Sequence, residues 1–176
     1  MKSRFEIRPA TYDDLPEIAD VHVRTWQQTY LGQMPQDFLD ALDPVARLKA
    51  WQEGFARHQD NTEFGTFVAR TPEALAGFIS YGPSRDDDRT DWLEIFAINI
   101  LKEHWSKGIG YALFSSVRDH FKHRNVQRTC LWVLDTNANA LQAYARWGGL
   151  IERTRTKQRA FGSRKLKEVS VRFDFG

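Results

Sequence analysis

Two periods of apolar residues run along this chain, and the switches between them mark its elements. A period of two, expected of a strand with one buried face, runs through Phe5-Glu6-Ile7-Arg8 and again through Val169-Ser170-Val171-Arg172-Phe173. Phe64 to Ala69 and Ala74 to Tyr81 read as strands joined by a hairpin turn at Arg70-Thr71-Pro72-Glu73. Leu93 to Ile100 is almost continuously apolar, as a buried strand is, with Glu94 as its one charge. Gln127 to Leu134 gives another strand, and Leu150-Ile151 opens one more. Helical spacing begins with Leu15, Ile18, Ala19, His22 and Trp26, which predicts a helix from near Asp13, with Pro16 in its first turn, to near Tyr30 before Gly32. Asp37 to Leu42 and Pro44 to Phe55 predict two more helices. Ile109, Ala112, Leu113, Val117 and Phe121 share one face of a fourth. Ala138 to Trp147 is a short fifth helix stopped by Gly148-Gly149.

Strand, helix and strand follow one another between Leu93 and Leu134. A connection of that length implies parallel pairing through a right-handed crossover. Ligands bind beyond the carboxyl ends of such strands. The residues at that end are Lys102-Glu103-His104-Trp105-Ser106-Lys107-Gly108-Ile109-Gly110, a polar turn that leads into the fourth helix. The first N–H groups of a helix lack partners, and the helix dipole adds partial positive charge there. Gly108 and Gly110 carry no Cβ, so an anion such as a pyrophosphate can approach the backbone of Ser106, Lys107, Gly108, Ile109, Gly110 and Tyr111. A dinucleotide fingerprint would need glycine or alanine where Leu113 stands, and a P-loop would need Gly-Lys-Ser/Thr where the chain has Gly110-Tyr111-Ala112.

This order of strand, Gly-x-Gly turn and helix resembles the acyl-CoA-binding motif of the GNAT superfamily of N-acetyltransferases. Trp105 stands where that family has Gln or Arg. A second resemblance lies at Asn137, Ala140, Tyr144 and Gly148, which match the family's Asn-x-x-Ala-x-x-x-Tyr-x-x-x-Gly. The resemblance implies an α/β (α+β) fold. Its sheet would be mixed and mostly antiparallel, with one parallel pair splayed around acyl-CoA and helices on both faces. It also implies direct transfer of an acetyl group from acetyl-CoA to an amine, without a metal. The backbone of Ile98, Asn99 and Ile100 would pair with the pantetheine amides, and Asn137 and Tyr144 would complete the acyl-CoA site. Tyr144 would donate its proton to the leaving thiolate.

Glu94 is the candidate general base, because burial in an apolar strand would favour its protonated form. The alternative for it is a strand-edge residue in water or an ion pair with a nearby Arg. His22, Trp26 and Tyr30 share a helix face and are either a core stripe or, as the resemblance favours, a wall of the acceptor pocket. A small or amino-acid-like amine is the expected acceptor. Protein acetylation and a non-catalytic acyl-CoA sensor are the other readings.

Composition removes several classes. The 176 residues read as one domain, residues 1–176, and 41% hydrophobic with 27% charged residues is ordinary for a globular protein. A net charge of +2 does not imply nucleic acid. The basic stretch Arg153, Arg155, Lys157, Arg159, Arg164, Lys165 and Lys167 is flanked by Glu152 and Glu168 and reads as a solvated hairpin. Cys130 is the only cysteine, in a strand, so it reads as a buried thiol. Asp86-Asp87-Asp88 reads as a solvated loop, since calcium-loop spacing is missing. No apolar run approaches the ~20 residues of a membrane span. Met1 to Phe5 lacks the apolar core of a signal peptide. The expectation is a cytoplasmic protein with no membrane partner, for which a homodimer is open.

Overall fold

A computed structural model describes residues 5–157 and 166–176. Residues 1–4, and Arg159, Arg164 and Lys165 of the basic stretch, lie outside the described residues. The strands are β1 (Glu6–Pro9), β2 (Gly65–Arg70), β3 (Leu75–Pro83), β4 (Leu93–Ile100), β5 (Arg128–Leu134), β6 (Leu150–Lys157) and β7 (Leu166–Asp174). They form one sheet in the order β1-β2-β3-β4-β5-β7-β6. Every neighbouring pair is antiparallel except β4 and β5. The helices are α1 (Leu15–Thr29), α2 (Gln36–Asp40), α3 (Pro44–His58), α4 (Ile109–His123) and α5 (Ala138–Arg146). Among them no helix is long and apolar enough to cross a membrane.

The helices cover both faces of the sheet. Ile109, Leu113, Phe114, Val117 and Phe121 of α4 form one core with Ile79, Ile95, Leu131 and Val171, and Leu141 and Trp147 at α5 pack onto it. Leu15, Ile18 and Val21 of α1 form the other core with Val68 and Phe78, and Leu48, Trp51 and Phe55 of α3 lean against it. Pro44 starts α3, and the Asp43 carboxylate caps it by accepting from the Val45 and Ala46 N–H groups at 3.0 and 3.2 Å.

The parallel pair is short. Leu93, Glu94 and Ile95 lie opposite Thr129, Cys130 and Leu131, and no residue beyond them pairs. The Thr129 hydroxyl donates to the Leu93 carbonyl at 2.6 Å and pins the closed end. The parting begins at a β-bulge. Ser80 of β3 faces Ala97, but Tyr81 faces Ile95, so Phe96 is an extra residue on β4. A bulge bends its strand and raises its twist, and here it turns β4 away from β5. The edge of β4 from Phe96 to Ile100 that faces β5 is therefore left without a strand partner.

Some boundaries differ from the sequence reading. The helix expected from Asp13 starts at Leu15, because Tyr12–Asp14 is a separate 3-10 turn closed by a capping box between Thr11 and Asp14. The basic stretch is in large part strand, since β6 runs to Lys157. Asp86 is not a solvated loop residue: it accepts from Trp132 Nε1 at 3.1 Å and lies 3.5 Å from Arg155. Among the described residues no cluster of His, Cys, Asp or Glu could hold a metal ion. Cys130 is buried inside β5, where burial pushes its thiol up.

Asp14 anchors the start of α1 to the sheet. Its buried carboxylate accepts from Arg8 at 2.7 and 2.8 Å and from the Thr11 N–H at 2.8 Å. The Arg8 hydrogen bonds, ahead of all other causes, hold it well below the usual carboxylate range. A folded-state value below the unfolded one stabilises the protein above the unfolded pKa of about 4, and that contribution fades as pH falls. Asp14→Asn should therefore lower stability at pH 7 by about 3 kcal/mol, the low end for a broken buried pair because Arg8 stays partly exposed. The variant should also lose part of the decline in stability below about pH 4. Urea unfolding at a series of pH values checks both.

Candidate active site

After β4, Lys102–His104 make a single 3-10 turn. Trp105, which departs from the family pattern, has a structural task here: its indole N–H donates to the Ile100 carbonyl at 2.7 Å and ties the turn to the end of β4. Ser106 and Gly108 then take positive φ values of 58° and 82°, and Gly108 is the N-cap of α4. The Ala112 N–H returns to the Gly108 carbonyl at 3.0 Å. The amides of Ile109, Gly110 and Tyr111 ahead of it are the unpaired donors of the helix end.

The two glycines have different tasks. A Cβ on Gly108 would meet nothing within 4 Å, so what requires glycine there is the left-handed backbone. A Cβ on Gly110 would lie 3.0 Å from Ile100 Cδ1 and 3.4 Å from the Trp147 ring, so its task is the close packing of α4 on β4 and α5.

The turn opens into a cavity of about 1140 Å³ that passes between the parted strands and reaches α1. Ile98, Asn99, Ile100, Ser106, Gly108, Ile109, Gly110, Tyr111, Asn137 and Tyr144 line it, and so do His22, Trp26 and Tyr30. Lys107 is exposed and does not line it. Asn137 caps α5, its side-chain oxygen accepting from the Ala140 N–H at 3.3 Å. Asn99 Nδ2 is buried with no hydrogen-bond partner among the described residues. A polar ligand atom would satisfy it.

Tyr144 is buried on α5, and its hydroxyl bonds to no described residue. Burial, and secondarily the neighbouring Tyr30, push its pKa well above the ordinary phenol value. It stays protonated at neutral pH and so has a hydrogen to donate.

Glu94 corrects the expectation placed on it. The residue is fully buried, but it does not line the cavity. Its oxygens accept from the Arg85 backbone N–H at 3.0 Å, from Arg85 Nε at 3.2 and 3.1 Å, and from Arg85 Nη2. A carboxylate with its oxygens committed to a guanidinium fits a structural ion pair, one of the two alternatives that the sequence left open.

The carboxylate on the cavity wall is Glu168, at the start of β7. It accepts from Arg155 Nε at 2.8 Å, and the Arg155 guanidinium lies over the Trp132 ring, 3.7 Å from its centroid. Sequence reasoning passed over Glu168, Arg155 and Trp132 because the basic run around them reads as a solvated surface. The available signal was period-two alternation through Leu166 to Phe173, which sends Glu168, Ser170 and Arg172 to one face.

His22 is held neutral. Burial, with a smaller contribution from the charge of Arg47, pushes its pKa down to about 3. Trp51 Nε1–H donates to His22 Nδ1 at 3.2 Å. An indole N–H is donor only, so the imidazole proton sits on Nε2. The ring packs 5.6 Å from Phe78 and 6.0 Å from both Trp26 and Trp51, so it belongs to the core and the cavity wall together.

Comparison with known proteins agrees with this geometry. The chain is 28% identical over 168 residues to the N-acetyltransferase YuaI of Bacillus subtilis (strain 168), a match covering 94% of this chain and 90% of that protein. Its fold matches the PaiA N-acetyltransferase of Thermoplasma acidophilum, solved in complex with coenzyme A, with a TM-score of 0.78 at 18% identity, over 97% of this chain and 98% of the other. It also matches YncA of Salmonella typhimurium, solved with its cofactor acetyl-CoA, with a TM-score of 0.73 at 18% identity, over 98% and 95% of the two chains. The family model of the acetyltransferase (GNAT) family matches residues 17–149. The chain, with its parted parallel strands and the Gly-x-Gly helix start between them, belongs to the GNAT family of acetyltransferases.

Proposed function

We propose that this N-acetyltransferase moves the acetyl group of acetyl-CoA to the primary amine of a small or amino-acid-like acceptor, by direct attack inside the cavity. One observation carries the reading. The unpaired amides of α4, the open edge of β4 and the protonated Tyr144 share a single cavity with the aromatic rings of α1. An aromatic-lined cavity suits a small acceptor better than a flat protein surface.

The residues fit acetyl-CoA, which supplies an activated acyl group and a thiol leaving group. The amides of Ile109, Gly110 and Tyr111 would hold the pyrophosphate, with open space in front of Gly108. The free edge of β4 from Ile98 to Ile100 would pair with pantetheine as an added strand does. One N–H on that edge would polarise the thioester oxygen. Tyr144 would donate its proton to the departing sulfur. A thiol with a pKa of about 8.5, cysteine being the reference, is already a tolerable leaving group, so this proton assists the reaction without being essential. Glu168 would draw the acceptor ammonium to the wall and take its proton through water. Its hydrogen bond from Arg155 holds the carboxylate in place at the wall.

Calorimetric titration with acetyl-CoA should show saturable binding. Gly108→Trp should abolish it, because the new side chain would occupy the open space before the helix amides; circular dichroism checks that the variant is folded. Tyr144→Phe should slow turnover by at most the roughly 10²–10⁴-fold of a general acid, with acetyl-CoA affinity unchanged. Stopped-flow detection of thiol release measures that rate, and an unaltered rate would remove the role. Two carboxylate variants separate the remaining functions. Glu168→Gln should raise the KM for the amine about tenfold, equivalent to roughly 1.4 kcal/mol. Glu94→Gln should leave the acid limb of the pH–rate profile in place and instead lower stability by roughly 1–3 kcal/mol, since Arg85 loses its charged partner.

A further inference from the structure

Four arginines line the cavity, and they are not equivalent. Arg146 is exposed to solvent at the end of α5, so it carries no comparable desolvation cost. Arg85 is bound by Glu94, and Arg155 is bound by Glu168 and Asp86. Arg47 of α3 is half-buried, and among the described residues its guanidinium has neither an ion pair nor a hydrogen bond. The nearest carboxylate in sequence, Asp43, is already committed to capping the backbone of α3. Burial lowers the pKa of Arg47, so the position carries a desolvation cost with no protein anion to offset it.

The neighbour of Arg47 adds a second donor. Arg47 stands one helical turn before Trp51 on α3, Trp51 is bonded to His22, and Arg47 and His22 line the same cavity. With Nδ1 taken by Trp51, His22 presents Nε2–H, which bonds to no described residue. A cation and an N–H donor side by side, with no acceptor of their own, match the two oxygens of a carboxylate. The rings of Trp26 and Phe38 line the same cavity, and apolar surroundings would strengthen that contact.

We infer that Arg47 and His22 form a carboxylate-binding subsite, and that the acceptor is a primary amine that also carries a carboxylate. The inference rests on the reading that this cavity binds an amine acceptor, and it narrows the acceptor class. An amino acid held this way is anchored by its carboxylate at Arg47, lays its side chain against the rings and leaves its amine for the thioester. Arg85 and Arg155 do not compete for the carboxylate, because their own partners neutralise them.

Two measurements on the full-length protein test this. In the first, tryptophan fluorescence follows binding of phenylacetate and of phenylacetamide, which differ at the carboxylate and lack an amine. Phenylacetate should bind at least about tenfold more tightly, a difference of roughly 1.4 kcal/mol. Arg47→Gln should bring the two within about twofold, and Arg47→Lys should keep part of the preference because it keeps the charge. Equal binding of the two probes, no phenylacetate binding at about 10 mM, or a preference that survives in Arg47→Gln overturns the subsite. In the second, kcat/KM is compared for L-amino acids and their carboxamides with acetyl-CoA. The acids should be favoured, and Arg47→Gln should remove the preference while leaving the amides and acetyl-CoA affinity unaltered. Transfer to amides but not to acids overturns the inference and leaves the amine-acceptor reading standing. A carboxylate preference in binding with no transfer to any amine supports the subsite and overturns that reading.

Discussion

The parting of β4 from β5 is the constraint on which the rest of this protein depends. Three residue pairs hold the two strands together, and one extra residue, Phe96, turns β4 away at the point where pairing stops. A sheet cannot ordinarily leave backbone groups unpaired in its middle, because each buried donor or acceptor without a partner is costly. Here the unpaired edge faces a cavity, so a ligand or water can satisfy it. The seam that weakens the sheet is also what creates a binding site between its strands. The cost is contained because β3 pairs with the far side of β4 along its length, and β7 does the same for β5.

The charges around the cavity follow the same logic of partners. Glu94, Glu168 and Asp86 would each be expensive inside the protein alone, and each is matched to an arginine. Arg155 meets Glu168 across the β6 and β7 strands, while Arg85 and Asp86 reach in from the connection between β3 and β4. Arg47 stands outside this scheme, since it has no counterion among the described residues. An arginine left in that state is a specific invitation to an anion, whereas a paired arginine is a structural part.

Much of the fold could be read from the chain. Period-two and helical spacing located the strands and helices, and the order strand, helix, strand required one parallel pair. The Gly-x-Gly turn and the Asn137 to Gly148 run located the helix end and Tyr144, which line one cavity. The pairing of Glu94 with Arg85 was not legible in the sequence, for a physical reason. Burial alone does not say whether a carboxylate is isolated or paired, and its partner Arg85 sits in an irregular connection that periodicity does not describe. Glu168 and Arg155 were overlooked because composition describes a basic run and does not say which side chains turn inward.

The sequence by itself therefore determined the elements, their order and the glycine start of α4, because each depends on residues close together in the chain. The tertiary structure alone decided where β4 bends, which carboxylate reaches the cavity and which arginine is left without a partner. Each of those depends on pairings between residues many positions apart. A register shift of one residue between β3 and β4, invisible in any local window, opens the site.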